Sequence, residues 1–166
     1  MLFIGKQETF GRDFPCAEGT TIQCMDQSDY EGADIVWDLG HPVPDGLHGR
    51  FDFIYDGGCL DNKFNPGQAM MNFTRMLKPG GRIVCIESAS AFSWAYVMFS
   101  PGWFEDYFAS NAFDAWQVYV CSFMDHEGLV GGPWKLYAYD RSKNSVGPAP
   151  GRCFSLSCAS LLPFPA

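Results

Sequence analysis

Short apolar runs punctuate the first ninety residues, and each one stops at a glycine or an acidic residue. Leu2-Phe3-Ile4 meets Gly5, Thr21–Met25 meets Asp26, Asp34–Trp37 meets Asp38, Phe51–Tyr55 meets Asp56, and Ile83–Ile86 meets Glu87. Runs of this length without polar alternation predict buried parallel strands whose carboxyl ends open on a crevice. Between the fourth and fifth runs the period changes. Asn65-Pro66 predicts an N-cap and first helical residue, and Ala69, Met70, Phe73, Met76 and Leu77 then recur at helical spacing. Lys78-Pro79-Gly80-Gly81 is expected to stop that helix. Residues 51–87 therefore form one strand, crossover helix and strand, the unit around which the remainder is arranged.

The second half continues the alternation. Ser100-Pro101 predicts a helix start, and Phe104, Tyr107 and Phe108 fall at i, i+3 and i+4, giving a helix from about 101 to 110. Trp116–Phe123 and Trp134–Tyr139 predict two more strands, the second antiparallel, with Asp125-His126-Glu127-Gly128 as a turn between them. The aromatic stretch from Phe92 to Phe108 reads equally as packed core, as a lid or as a wall for a substrate. From Arg141 onward Pro, Ser and Gly dominate. Residues 1–140 are thus expected as the domain, and 141–166 as a tail packed on it or loosely ordered.

Composition narrows the function classes. With 47% hydrophobic and 18% charged residues among 166, a chain of this size buries roughly 70% of its unfolded surface in a single core. A net charge of −8 argues against a nucleic-acid backbone as partner, because that affinity comes from Lys and Arg. The start, MLFIGKQETFGRD, carries neither a secretion signal nor a membrane span, so a cytoplasmic location is expected. Seven cysteines are scattered without metal-ligand spacing and read as reduced core residues. No metal site is expected: His41 and His48 read as surface loop residues, and Asp125-His126-Glu127 as a solvated turn.

Chemistry enters at the strand ends. Asp26 stands 21 positions after Gly5, the separation at which an acidic residue grips a ribose diol in nucleotide-binding sheets. It reads alternatively as the cap of the turn Asp26-Gln27-Ser28-Asp29. Only about fifteen residues separate Gly5 from the second run, and Gly11, Pro15 and Gly19 interrupt them, so the first crossover helix is short, irregular or missing.

Asp56-Gly57-Gly58-Cys59-Leu60-Asp61, the helix ending Arg75-Met76-Leu77-Lys78-Pro79-Gly80-Gly81, and the strand Arg82–Glu87 together resemble the fourth strand, fourth helix and fifth strand of class I S-adenosylmethionine-dependent methyltransferases. The resemblance implies an α/β, Rossmann-like, mostly parallel seven-stranded sheet with flanking helices, its last strand antiparallel. It also implies S-adenosylmethionine as cofactor. Gly5 and Lys6 would stand at the reduced glycine loop, Asp26 at the ribose, and Asp38 and Leu39 at the adenine. Gly57, Gly58 and Leu60 would line the methionine end, with Gly5, Asp26, Asp38 and Asp56 converging on one crevice. Asp61, where a general base is needed, is the candidate catalytic residue, with Asp56 second. The acceptor implied is a small molecule, and since no covering helices precede Leu2, the covering role is expected to fall to residues 88–110, to the tail or to a second copy of the chain. The alternative is a methyltransferase-like domain without catalysis that serves as a partner-binding or regulatory subunit.

Overall fold

A computed structural model describes residues 1–5, 18–89, 95–123, 135–143 and 152–161. The strands are β1 (Leu2–Ile4), β2 (Gln23–Asp26), β3 (Ile35–Val36), β4 (Phe51–Asp56), β5 (Leu77–Ser88), β6 (Phe113–Phe123), β7 (Lys135–Ala138) and β8 (Arg152–Leu161). Among the described residues two α-helices flank them, α1 (Pro66–Met76) and α2 (Pro101–Ser110). All join in one sheet of order β3-β2-β1-β4-β5-β8-β6-β7. The first five are parallel, with Phe3 paired to both Cys24 of β2 and Tyr55 of β4.

Two expectations change here. The sheet has eight strands rather than seven, with five parallel strands as its Rossmann-like part. The antiparallel strand next to β5 is not 134–139 but β8, drawn from the segment expected as a tail. It pairs antiparallel with both β5 and β6, for example Cys85↔Ser157 and Val118↔Ser157. Residues 135–138 instead form the edge, antiparallel to β6. Phe154-Ser155-Leu156-Ser157-Cys158 alternates apolar and polar as a strand does, but the place of that strand depends on backbone ladders to two distant neighbours.

The core forms as the periodicity predicts. Asn65 caps α1, its Oδ1 accepting from the Gln68 amide at 3.2 Å. Ala69, Met70, Phe73 and Met76 are wholly buried along one face of the helix, with Leu2, Ile54 and Ile83 of the sheet in the same core. Ser100 stands at the expected N-cap of α2 but makes no capping bond with its side chain. Phe99, Phe104 and Phe108 are buried, and Phe108 meets Phe113 at 4.9 Å between ring centroids. This part of the aromatic stretch is core; Phe92 and Trp94 lie outside the described residues, as does the turn 125–128. Among the described cysteines, Cys85 and Cys121 are buried and Cys24 and Cys59 are half-buried.

The Lys78–Gly81 turn behaves differently from a simple stop. The helix runs directly into β5, where Leu77 pairs with Phe51 and Arg82 with Phe53, so four residues of β5 face one of β4. Gly80 closes this bulge at φ +77, and a Cβ on Gly81 would lie 2.8 Å from the Lys78 carbonyl and 3.2 Å from that of Phe51. Since backbone cannot give way as a flexible side chain does, Gly81→Ala should cost roughly 1–3 kcal/mol. A domain of this size loses about 2–4 °C of melting midpoint per kcal/mol. Gly46→Ala, where a Cβ meets nothing within 4 Å, is the control and should leave the midpoint in place.

Candidate functional site

The direction of strand progression reverses at β1: β2 and β3 lie on one side, β4 and β5 on the other. Open α/β sheets bind ligands at this switch point, beyond the carboxyl ends of the strands. A crevice of about 600 Å³ lies there, within the range usual for small-molecule sites. Ile4, Gly5, Met25 and Asp26 form its floor, Trp37, Asp38 and Leu39 one wall, and Gly57 and Gly58 the other. The outer rim comes from Asn62–Asn65 and Tyr96.

Local geometry explains each position. Gly5 turns the chain at φ +74 while its amide donates to the Met25 carbonyl at 2.8 Å, and Gly58 takes φ +98. Asp26 lines the crevice, and its Oδ1 also accepts from the Ser28 amide at 3.3 Å, so the two readings of this residue describe one carboxylate. Asp38 Oδ1 accepts from the Gly40 amide at 2.9 Å, and Oδ2 lies 3.3 Å from His41 Nδ1. The Gly40 amide is the main cause holding the Asp38 carboxyl below its ordinary range. His41 is well exposed and His48 partly so, as expected of loop residues.

The wall carrying Asp38 and Leu39 hangs on one buried side chain. Asn72, wholly buried on α1, donates from Nδ2 to the carbonyls of Leu39 at 3.0 Å and His41 at 2.8 Å. Its Oδ1 accepts from the Val43 amide at 3.1 Å and from Gln68 Nε2 at 3.0 Å. All the hydrogen-bonding capacity of the amide is used, and three of its four bonds pin loop 39–43 to the helix.

Three expected site residues sit beneath the crevice rather than in its wall. Asp56 is fully buried and accepts from the amides of Cys59 at 3.0 Å and Leu60 at 3.3 Å, which shapes the loop carrying Gly57 and Gly58. Leu60 is fully buried in the core. Asp61, 4% exposed, accepts from Ser88 Oγ at 2.5 Å on Oδ2 and from Asn62 Nδ2 at 2.9 Å on Oδ1. Its carbonyl accepts from the amides of Tyr96 and Val97. Lys6 lies outside the described residues.

Under that loop, Glu87 forms a buried acid pair with Asp56. Its Oε2 accepts the Asp61 amide at 2.9 Å, while Oε1 has no donor around it, and the side chain also meets the Asp56 carboxyl. Burial drives both acids upward, Asp56 to about 6 and Glu87 well above its ordinary value, and the charge of Asp56 adds to the rise of Glu87. Burial also raises Asp61. Sequence reasoning passed over Asn72, Glu87, Lys63 and Phe64 as site residues, and met Tyr96 only within the aromatic stretch 92–108. A signal existed for two: Asn72 interrupts the apolar stripe of α1, and Glu87 ends an apolar strand as Asp26, Asp38 and Asp56 do.

Among the described residues no group of three His, Cys, Asp or Glu is arranged to hold a metal, and no helix is long and apolar enough to cross a membrane. No protein-family model matches the chain. In sequence it is similar to a polyketide methyltransferase of Ustilaginoidea virens, at 33% identity over 76 residues. That match takes in 43% of this chain and 17% of the relative, so the chain corresponds to a small part of that protein's length. In structure it resembles an S-adenosylmethionine-dependent methyltransferase of Thermotoga maritima, with TM-score 0.57 and 15% identity over 82% of this chain and 72% of the other. It also resembles a Haemonchus contortus phosphoethanolamine N-methyltransferase solved with S-adenosylhomocysteine, with TM-score 0.58 and 15% identity over 98% and 48% of the two chains. Sheet order, the crevice at the switch point and these likenesses agree: the chain has a Rossmann-like fold similar to that of S-adenosylmethionine-dependent methyltransferases.

Proposed function

We propose that the crevice binds S-adenosylmethionine and that the protein is a methyltransferase acting on a small-molecule acceptor. The observation that carries this reading is the meeting of Gly5, Asp26, Asp38, Leu39, Gly57 and Gly58 on one cavity. The donor set fits the group. Carboxylates at one end accept from ribose hydroxyls and an exocyclic amine, and Trp37 and Leu39 offer apolar surface to a flat base. The glycine walls at the other end let backbone come close to the amino-acid moiety.

When bound, the cofactor supplies an electrophilic methyl group on a sulfonium, and much of the barrier is lowered by positioning the acceptor. The chain's own contribution is then orientation. Asp26 would fix the ribose, and Asn72, through loop 39–43, would fix the base-binding wall. Asp61 has both carboxylate oxygens engaged, so it is better read as a positioning residue that sets Asn62 and the 96–97 backbone than as a general base. A small acceptor agrees with the net charge of −8 and with the relative described as a polyketide methyltransferase.

S-Adenosylhomocysteine at a hundred times its dissociation constant should stabilise the fold by about 2.7 kcal/mol, which raises the melting midpoint by roughly 5–11 °C. Asp26→Ala should weaken that binding at least tenfold while the ligand-free midpoint stays within a few degrees. A folded wild-type sample that shows no shift overturns the cofactor reading; an unchanged affinity in the variant overturns the ribose role alone.

A further inference from the structure

Two large aromatic rings stand open to water on the rim of the crevice. Phe64 is 92% exposed and Tyr96 63%, yet their rings are stacked, with centroids 4.9 Å apart and planes 19° from parallel. They come from different parts of the chain. Phe64 sits in the loop after β4, one residue before the Asn65 cap of α1. Tyr96 is tied from beyond β5 by its amide bond to the Asp61 carbonyl at 2.7 Å. Backbone anchored on both sides thus holds two apolar faces where core packing gives no return. Exposed aromatic surface on such a support marks a recognition site.

The surroundings limit what it recognises. Parallel rings this close leave no room for a third ring between them, so a ligand must lie against an outer face, where offset stacking rewards a flat, unsaturated molecule. Polar groups stand beside the rings. Asn62 lines the same crevice, and Lys63, the lone cation among its described lining residues, bridges the mouth to Gln27 Oε1 at 3.1 Å.

We propose that Phe64 and Tyr96 form the acceptor platform, taking a planar, conjugated molecule with a polar oxygen at its edge. This rests on the methyltransferase reading, and the rings themselves contribute stacking and orientation. The test is titration calorimetry on protein saturated with S-adenosylhomocysteine, using 2-naphthol and its saturated counterpart 2-decalol as probes. Wild type should bind 2-naphthol at least fivefold more tightly than 2-decalol. Phe64→Ala and Tyr96→Ala should each erase that preference while S-adenosylhomocysteine affinity stays within twofold, and Phe64→Trp should retain it. Equal affinity for the two probes overturns the proposal, as does an unchanged preference in both alanine variants. It is also overturned if the substitutions only dissolve a dimer on a sizing column while the preference persists. Should wild type bind no S-adenosylhomocysteine, the cofactor reading falls by itself, and the same titration on ligand-free protein still decides the aromatic site.

Discussion

Asn72→Asp is expected to be the most damaging single-atom exchange in this protein. It keeps the oxygen that accepts from Val43 and Gln68 but turns a donor into a second oxygen facing the carbonyls of Leu39 and His41, at 3.0 and 2.8 Å. A buried charge without a partner costs roughly 3–5 kcal/mol. Against a total stability of about 5–15 kcal/mol for a domain, that is a large share. The melting midpoint should fall by roughly 6–20 °C. Loop 39–43 should loosen with it, so S-adenosylhomocysteine affinity should drop even where the variant is folded. Lowering the pH protonates the new carboxyl and restores one donor, so the deficit should shrink toward pH 5. Asn72→Ala lacks that recovery. Melts of wild type and both variants across pH check this; equal deficits for Asp and Ala at every pH would show that the site is only a space to be filled.

Glu87→Gln is expected to act in the opposite sense at neutral pH. Asp56 and Glu87 are carboxyls whose folded values are raised by burial. Between the ordinary carboxylate range near 4 and the folded values, the native protein holds protons that the unfolded chain has released. Stability is therefore fully present below about pH 4 and declines as the pH rises through the folded values, about 6 for Asp56 and well above the ordinary carboxylate range for Glu87. The climb of Asp56 from 3.8 to about 6 alone is on the order of 3 kcal/mol. A glutamine keeps the acceptor for the Asp61 amide, and its NH₂ group offers a donor to Asp56. The variant should be more stable than wild type at pH 8, no more stable at pH 4, and flatter between. Denaturant melts across that range decide the matter. Parallel curves for the two proteins would mean that the pair carries no titration and that the acid at 87 is an ordinary buried polar group.

Both predictions concern residues that carry the crevice without lining it, and here sequence and structure divide. The first five strands, the α1 crossover and its Asn65 cap follow from local pattern. A continuous apolar run needs burial on two faces, a 3.6-residue stripe needs burial on one, and a polar cap satisfies an amide that nothing else reaches. Pattern placed Gly5 and Asp26 at strand ends and the family resemblance added Asp38, Leu39, Gly57 and Gly58; all six line one crevice, because strand ends in a parallel sheet share a side. The depth of a side chain at such an end is a different quantity. Asp26 and Asp38 face the cavity while Asp56 and Asp61 turn beneath it, and only the course of the following loop determines which happens.

The far side of the sheet shows the same division more sharply. That residues 152–161 lie between β5 and β6 depends on backbone ladders to strands some seventy and forty positions away, which leave no trace in local hydrophobicity. Local sequence by itself determined the elements, the Rossmann-like half of the sheet and the crevice. Tertiary structure alone decided strand order beyond β5, the buried acid pair and the meeting of Phe64 with Tyr96, because each joins residues that short-range pattern never relates.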